Sequence, residues 1–191
     1  MSQQRKRRVI LGITGSTAAT KSQSIALALQ HRGFEVRVAM SHSAQKIVGQ
    51  TALSSVIQDQ PYTDLWVNPG GQGGEVHIRW AEWADAMVVA PATASCIASL
   101  YLGQFDSPVT LIAGALSPSR LFLAPAMAQE MWLWPSVQRN VRELGSWGVR
   151  FLGPVTGRVA SGHTGMRLLE PREIAEQLDA LCVIPDSSSS S

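Results

Sequence analysis

The chain has 191 residues, of which 45% are hydrophobic and only 16% charged, with a formal net charge of +2. That length and apolar content suit one domain with a sizeable core, and no apolar run approaches the roughly 20 residues needed to cross a bilayer. Much of the basic excess sits in Arg5, Lys6, Arg7 and Arg8, which read as a solvated tail and not as the spread basic face, interleaved with aromatics, that nucleic acid requires.

The low charge leaves less polar surface to cover a lone monomer. A buried subunit interface and a single compact core explain it equally well. Cys96 and Cys182 are far apart and form neither a CxxC nor a metal-ligand spacing, so reduced thiols of a cytosolic protein are the simplest account. No long apolar segment follows the N-terminal charges, so no secretory signal is apparent.

Residues 9–13 (VILGI) are a short apolar run followed by Thr14-Gly15-Ser16, the pattern of a buried strand ending in a tight turn. Residues 18–30, rich in Ala, Leu and Ile, predict a helix that stops at Gly33. Residues 35–40 predict a second strand, and residues 41–43 the start of another helix. Residues 86–90 (AMVVA) predict a third strand, with a helix following through Leu102. Residues 120–124 (RLFLA) predict a fourth strand, 136–144 a helix, 148–152 a fifth strand and 171–181 a final helix with Pro171 at its start. Strands alternating with helices imply a three-layer, doubly wound α/β domain with a parallel sheet. Two stretches interrupt the alternation: the glycine-rich residues 68–74, and residues 153–170, which carry four glycines and no clear period. Loops of that length are often binding loops or lids. The domain is expected over residues 8–182, between a basic tail at 1–7 and a Ser-rich, disordered tail at 183–191.

Several strand ends carry small hydroxyl residues. Thr14, Gly15, Ser16 and Thr17 follow the first strand and can offer backbone N–H groups and hydroxyls to a phosphate. The turn is neither a GxGxxG fingerprint nor a Walker loop. Ser41 and Ser43 follow the second strand, where capping a helix is the plainer role. Pro91, Ala92, Thr93 and Ala94 follow the third, small enough for a flat ring to approach the backbone. Asp106, Ser107 and Thr110 form a polar turn that opens another helix. Together they describe a pocket for a phosphorylated, planar cofactor at one edge of the sheet. His77 is a candidate acid or base, although a surface or structural role fits its spacing better. Met127, Met131 and Trp132 fit core packing or a substrate box. No metal site, Ser-His-Asp set or carboxylate pair stands out.

Taken in order, residues 12–21 (GITGSTAATK), 77–94 (HIRWAEWADAMVVAPATA), 125–132 (PAMAQEMW) and 157–171 (GRVASGHTGMRLLEP) resemble the homo-oligomeric flavin-containing cysteine decarboxylases. The branch acting on phosphopantothenoylcysteine in coenzyme A biosynthesis is the most similar, and the peptidyl-cysteine decarboxylases are cousins. The resemblance implies a flavodoxin-like flavoprotein fold, FMN at the strand ends, and a homotrimer or a dodecamer of trimers with FMN at a subunit interface. It implies that flavin oxidises the cysteine side chain of a small-molecule or peptide substrate to a thioaldehyde. That group is the electron sink for loss of CO2 and leaves an enethiol, which is reduced to the thiol in the coenzyme A branch. It gives His77 the role of base or proton shuttle, and the strand-end residues named above contacts to FMN. Met127, Ala128, Met131 and Trp132 would then recognise substrate.

Three positions depart from the family pattern. Ala128 stands where the family has an Asn whose amide engages the substrate carboxylate, a contact worth about 1.5–3 kcal/mol. Ser161, at a position tied to the final reduction, stands where some members have Cys. Gly165-Met166-Arg167 looks shortened against the usual Gly-x-Gly-Arg. Ala128 keeps two other readings open: a peptidyl-cysteine decarboxylase, or a non-catalytic FMN-binding regulatory subunit. With no amide-forming synthetase domain in the sequence, a free-standing flavoprotein is expected.

Overall fold

The computed structural model describes residues 5–66, 75–158 and 164–182. The glycine-rich segment 68–74, Ser161 and the C-terminal tail lie outside them.

Five parallel strands build the central sheet: β1 (Arg8–Ile13), β2 (Glu35–Met40), β3 (Ala86–Ala92), β4 (Leu121–Pro125) and, beyond the two-residue β5 (Met127–Ala128), β6 (Arg150–Phe151). Their order is β2-β1-β3-β4-β6, with every neighbour parallel. This is the 2-1-3-4-5 order of doubly wound flavodoxin-like sheets, whose direction of winding reverses between β1 and β3. The strands read as continuous apolar runs because both faces are covered. Val9, Ile10, Leu11 and Ile13 are all fully buried, each contributing roughly 1.5–3 kcal/mol of burial.

The helices are α1 (Ser22–His31), α2 (His42–Gln45), α3 (Gln50–Ile57), α4 (Val76–Trp83), α5 (Ala94–Leu102), α6 (Pro108–Gly114), α7 (Gln129–Trp132), α8 (Pro135–Ser146) and α9 (Pro171–Leu181). Alternation along β1 splits the core. Val9, Leu11 and Ile13 pack with Ile25 and Leu29 of α1, Leu53 of α3, and Ile174 and Leu178 of α9. Ile10 and its sheet neighbours Met87 and Val89 pack with Trp80 of α4, Ile97 of α5, Ile112 of α6 and Leu144 of α8.

Three local expectations change. Residues Thr17–Lys21 form a 3-10 turn, so the first α-helix begins only at Ser22; Ser16 caps that turn by accepting from Ala18 N. The helices at Gln50–Ile57 and Val76–Trp83 carry short, weak periodicity and were not foreseen. Residues 153–170 are not one long loop. They supply β7 (Val155–Arg158) and β8 (Thr164–Arg167), which form with β5 a small antiparallel sheet of order β5-β8-β7.

The N-terminal arginines are not a solvated tail. Arg5 pairs with Asp85 at 2.5 Å, Arg8 with Glu35 at 3.4 Å, and the Arg8 N–H donates to Asp85 at 2.7 Å. Arg7 lies 4.3 Å over the ring of Phe34 and pairs with Asp179 of α9, which Arg32 also contacts. The Arg7 hydrogen bond, with Arg32 adding to it, holds the Asp179 carboxyl below its ordinary range. A carboxyl with a depressed folded pKa stabilises fully above its unfolded value and loses that contribution as pH falls through the folded one. Asp179→Asn therefore lowers stability at neutral pH by up to about 1 kcal/mol. The gap from the native chain closes as the medium is acidified below the ordinary carboxylate range. Thermal melts of both chains across that range check this; a gap that ignores pH contradicts it.

Candidate functional site

Ligands of doubly wound sheets sit beyond the carboxyl ends of the strands at the switch point. Here that point is built around one buried hydroxyl. Thr14, 4% exposed, donates from Oγ1 to the Pro91 carbonyl at 2.6 Å and accepts from the Thr93 N–H at 3.1 Å. The turn after β1 is thereby fastened to the turn after β3. A second fastening joins the turn after β2: Ser41 N–H donates to the Ile13 carbonyl at 3.0 Å. Gly15 sits so close that a Cβ there would lie 2.4 Å from the Cβ of Ser43.

Beside these turns opens a cleft of about 600 Å³, inside the roughly 300–1,000 Å³ range of small-molecule sites. Gly15, Ser16 and Thr17 line one end, and Thr93 and Ala94 the side. Ala126, Met127, Ala128 and Met131 supply an apolar wall, and β8 with its exit contributes Met166, Arg167 and Leu168. The small sheet closes this wall because Met127 pairs with Met166 and Ala128 with Gly165.

The structure thus gathers much of the expected set, but not all of it. Gly15, Ser16, Thr17, Thr93, Ala94, Met127, Ala128 and Met131 share the cleft. Met131 is 49% exposed, whereas Met127 is buried in the core as well as lining the cleft. Pro91 and Ala92 are buried in the end of β3. Trp132 packs partly buried against the core. Several hydroxyls act as helix caps: Ser41 accepts from Ala44 N at 3.2 Å, Thr93 from Cys96 N at 3.3 Å, and Ser107 and Thr110 form a reciprocal capping box on α6. Asp106 and Ser107 line a separate depression of about 450 Å³ with His42 and Trp66. His77 lies half-buried in the first turn of α4 and does not line the cleft.

Sequence reasoning missed Lys21, Arg167 and Leu168. Only the antiparallel pairing of β5 with β8 brings the last two to the cleft, and no local pattern announces that pairing. A polar depression of about 500 Å³, lined by Lys6, Glu35, Arg37 and Asp59, lies at the opposite, amino end of the strands. Burial disfavours the thiolate form of both cysteines. Burial, with Asp106 adding to it, pushes the Cys96 thiol up to about 12, and burial raises Cys182 as well. Among the described residues there is no cluster of His, Cys, Asp and Glu able to hold a metal, and no helix long and apolar enough to cross a membrane.

Fold and cleft together define a flavodoxin-like α/β protein with an open cleft at the switch point. The chain belongs to the Flavoprotein family, which matches residues 1–182. The coenzyme A biosynthesis bifunctional protein CoaBC of Escherichia coli K12 is 33% identical over 171 residues, 89% of this chain and 42% of that protein. The Bacillus subtilis CoaBC is 34% identical over 89% of the chain and 42% of its own length. The chain therefore spans about two fifths of the curated relatives it matches. A solved structure of a PPC decarboxylase mutant complexed with pantothenoylaminoethenethiol superposes with a TM-score of 0.82 at 30% identity, covering 92% of this chain and 98% of that one. The FMN-dependent cysteine decarboxylase SpaF superposes with a TM-score of 0.78 at 27% identity, covering 93% and 98%.

The contact between Gly15 and Ser43 yields a test of the cleft's construction. Gly15→Ala inserts a methyl where Ser43 already stands and destabilises by about 1–3 kcal/mol. Ser43→Gly in the same chain removes the colliding Cβ and recovers most of the loss. Urea midpoints of the two single variants and the double variant measure this; simple additivity contradicts it.

Proposed function

We propose that this chain is an FMN-dependent carboxy-lyase that decarboxylates a cysteine-derived carboxylate, converting phosphopantothenoylcysteine to phosphopantetheine in coenzyme A biosynthesis. The observation that carries this reading is the switch-point cleft, walled by the same segments that resemble the cysteine decarboxylases. The PPC decarboxylase likeness over 92% of the chain supports it.

The residues present fit FMN. A turn of Gly15, Ser16 and Thr17 offers backbone N–H groups and hydroxyls at one end of the cleft, where a phosphate would be held. Thr93, Ala94 and Ala126 keep the flank low enough for a flat ring. Bound flavin would supply the oxidation that turns the cysteine side chain into an electron sink, so that CO2 can depart without leaving an unstabilised carbanion. The chain's own part is to bind, orient and move a proton. Met127 and Met131 form the apolar wall beside which a thiol-bearing arm would lie, and His77 would take or return the proton.

Because His77 does not line the cleft of its own chain, the reading includes a homotrimer in which a neighbouring copy brings His77 to the site. The exposed Met131, Leu133 and Trp134, at 49%, 59% and 64%, support a covered face beside the cleft. The two unpaired cysteines support a cytoplasmic protein.

A second reading, a decarboxylase of peptides ending in cysteine, is favoured by Ala128, a methyl where the substrate carboxylate would be met; the likeness to the FMN-dependent cysteine decarboxylase SpaF fits either reading. One experiment separates the two. The purified protein is yellow with a flavin spectrum, and incubation with phosphopantothenoylcysteine yields a product lighter by CO2 in mass spectrometry. His77→Asn keeps the flavin and slows turnover by roughly 10²–10⁴-fold. An unchanged small substrate with turnover of a cysteine-ended peptide selects the second reading; turnover of neither ends both.

A further inference from the structure

Any molecule entering the cleft meets two cations, Lys21 and Arg167, and no acid among the described lining residues. Both cations are tied to one carboxylate just outside, Glu170. Lys21 Nζ donates to both its oxygens at 3.0 Å, and Arg167 Nη1 donates to Oε1 at 2.5 Å. Glu170 is the N-cap residue of α9, where its backbone N–H donates to Glu173 Oε2 at 2.9 Å. The Lys21 hydrogen bond is the main reason its carboxyl is held below the ordinary range, so it stays charged. Two positive charges against one negative leave this rim with an excess of one, which suits an anionic ligand.

The small sheet fixes where the guanidinium lies. Register aligns Ala128, Gly165 and Gly157 in one row across β5, β8 and β7. Side chains alternate along a strand, so Arg167 shares the face of Gly165, two residues away. It is the diagonal neighbour of Ala128, at the roughly 7–8 Å spacing of such pairs. The row holds one methyl and two hydrogens, and a Cβ on Gly157 would come 3.3 Å from Arg167 Nε. The arginine leans over Gly157 on the β7 side of β8, and it lines the same cleft as Ala128 on the β5 side.

Lys21 spends its ammonium on both oxygens of Glu170. A guanidinium carries five N–H donors in a planar fork matched to a carboxylate. Its bond to Glu170 uses one edge and steadies the rest. Sharing Arg167 with Glu170 also suits the chemistry: an unshared cation would stabilise the substrate carboxylate before reaction and oppose its departure as CO2.

We infer that Arg167, positioned by Glu170, binds the carboxylate of the substrate's cysteine end, which β5 with only a methyl at Ala128 does not engage. The inference rests on the decarboxylase reading above. It sets a specificity: acids that end in cysteine enter, and their decarboxylated counterparts are held less well.

The test uses the flavin-loaded protein and two unreactive probes titrated by calorimetry. Phosphopantothenoylserine keeps the carboxylate but has no thiol to oxidise; phosphopantothenoylethanolamine lacks the carboxylate. The native protein binds the serine probe more tightly. Arg167→Gln weakens the serine probe by about 10- to 100-fold and leaves the ethanolamine probe unchanged. Arg167→Lys preserves the tie to Glu170 but not the fork, and weakens the serine probe alone by a smaller factor. This second variant keeps the test decisive should Arg167→Gln fail to fold. Equal weakening of both probes by Arg167→Lys, or no weakening by either variant, overturns the inference while flavin binding and turnover by the native protein leave the decarboxylase reading standing. A native protein that holds no flavin defeats that reading first, and the inference with it.

Discussion

The hydroxyl of Thr14 holds the site together. It is buried, it donates to the carbonyl of Pro91, and it accepts from the N–H of Thr93. β1 and β3 are neighbours in the sheet, yet their chains leave it toward opposite layers, and nothing in the strand ladder fixes how the two exits lie relative to one another. One side chain, satisfied as donor and acceptor away from water, does so. A buried hydroxyl without partners costs about 1–3 kcal/mol, so the arrangement that satisfies Thr14 is strongly preferred over its alternatives. The cleft is the space that this constraint leaves open, and the Gly15–Ser43 contact closes it off from the turn after β2.

A second constraint operates at the far wall. β5 is only two residues long and would not persist alone. It pairs with β8, β8 pairs with β7, and Glu170, directly after that hairpin, caps α9 while gripping Lys21 at the end of the 3-10 turn. The first and last thirds of the chain are thus linked through one carboxylate at the rim of the cleft. The same Glu170 that ends a loop and begins a helix governs the charge that a ligand meets. A fold element and a recognition element are here the same atoms.

The amino terminus shows how charge density misleads when position is ignored. Four consecutive basic residues look like a solvated tail because nothing in the local sequence offers them partners. The partners of Arg5, Arg8 and Arg7 are Asp85, Glu35 and Asp179, which the parallel sheet and the docking of α9 bring to the same edge. Arg7 in addition lays its guanidinium over the ring of Phe34, a cation–π contact.

The sequence by itself determined the layered architecture. The apolar runs at β1, β3 and β4 and the Pro-started α9 are short-range signals, set by burial on both sheet faces and by helix-end chemistry, and residues such as Glu35 to Met40 carry them unambiguously. It also marked the hydroxyl-bearing turns at Thr14 to Thr17 and at Thr93, because turns at strand ends need small residues. Only the tertiary structure decided which of these residues share a cavity. Ser41, Ser107 and Thr110 were spent on helix caps, Asp106 fell into a different depression, and His77 was carried away on α4. Arg167 and Lys21 entered from segments nearly 150 residues apart. Backbone preferences act over a few residues, whereas a cleft is defined by register across strands and by which polar groups remain unsatisfied after packing, and those depend on the whole chain at once.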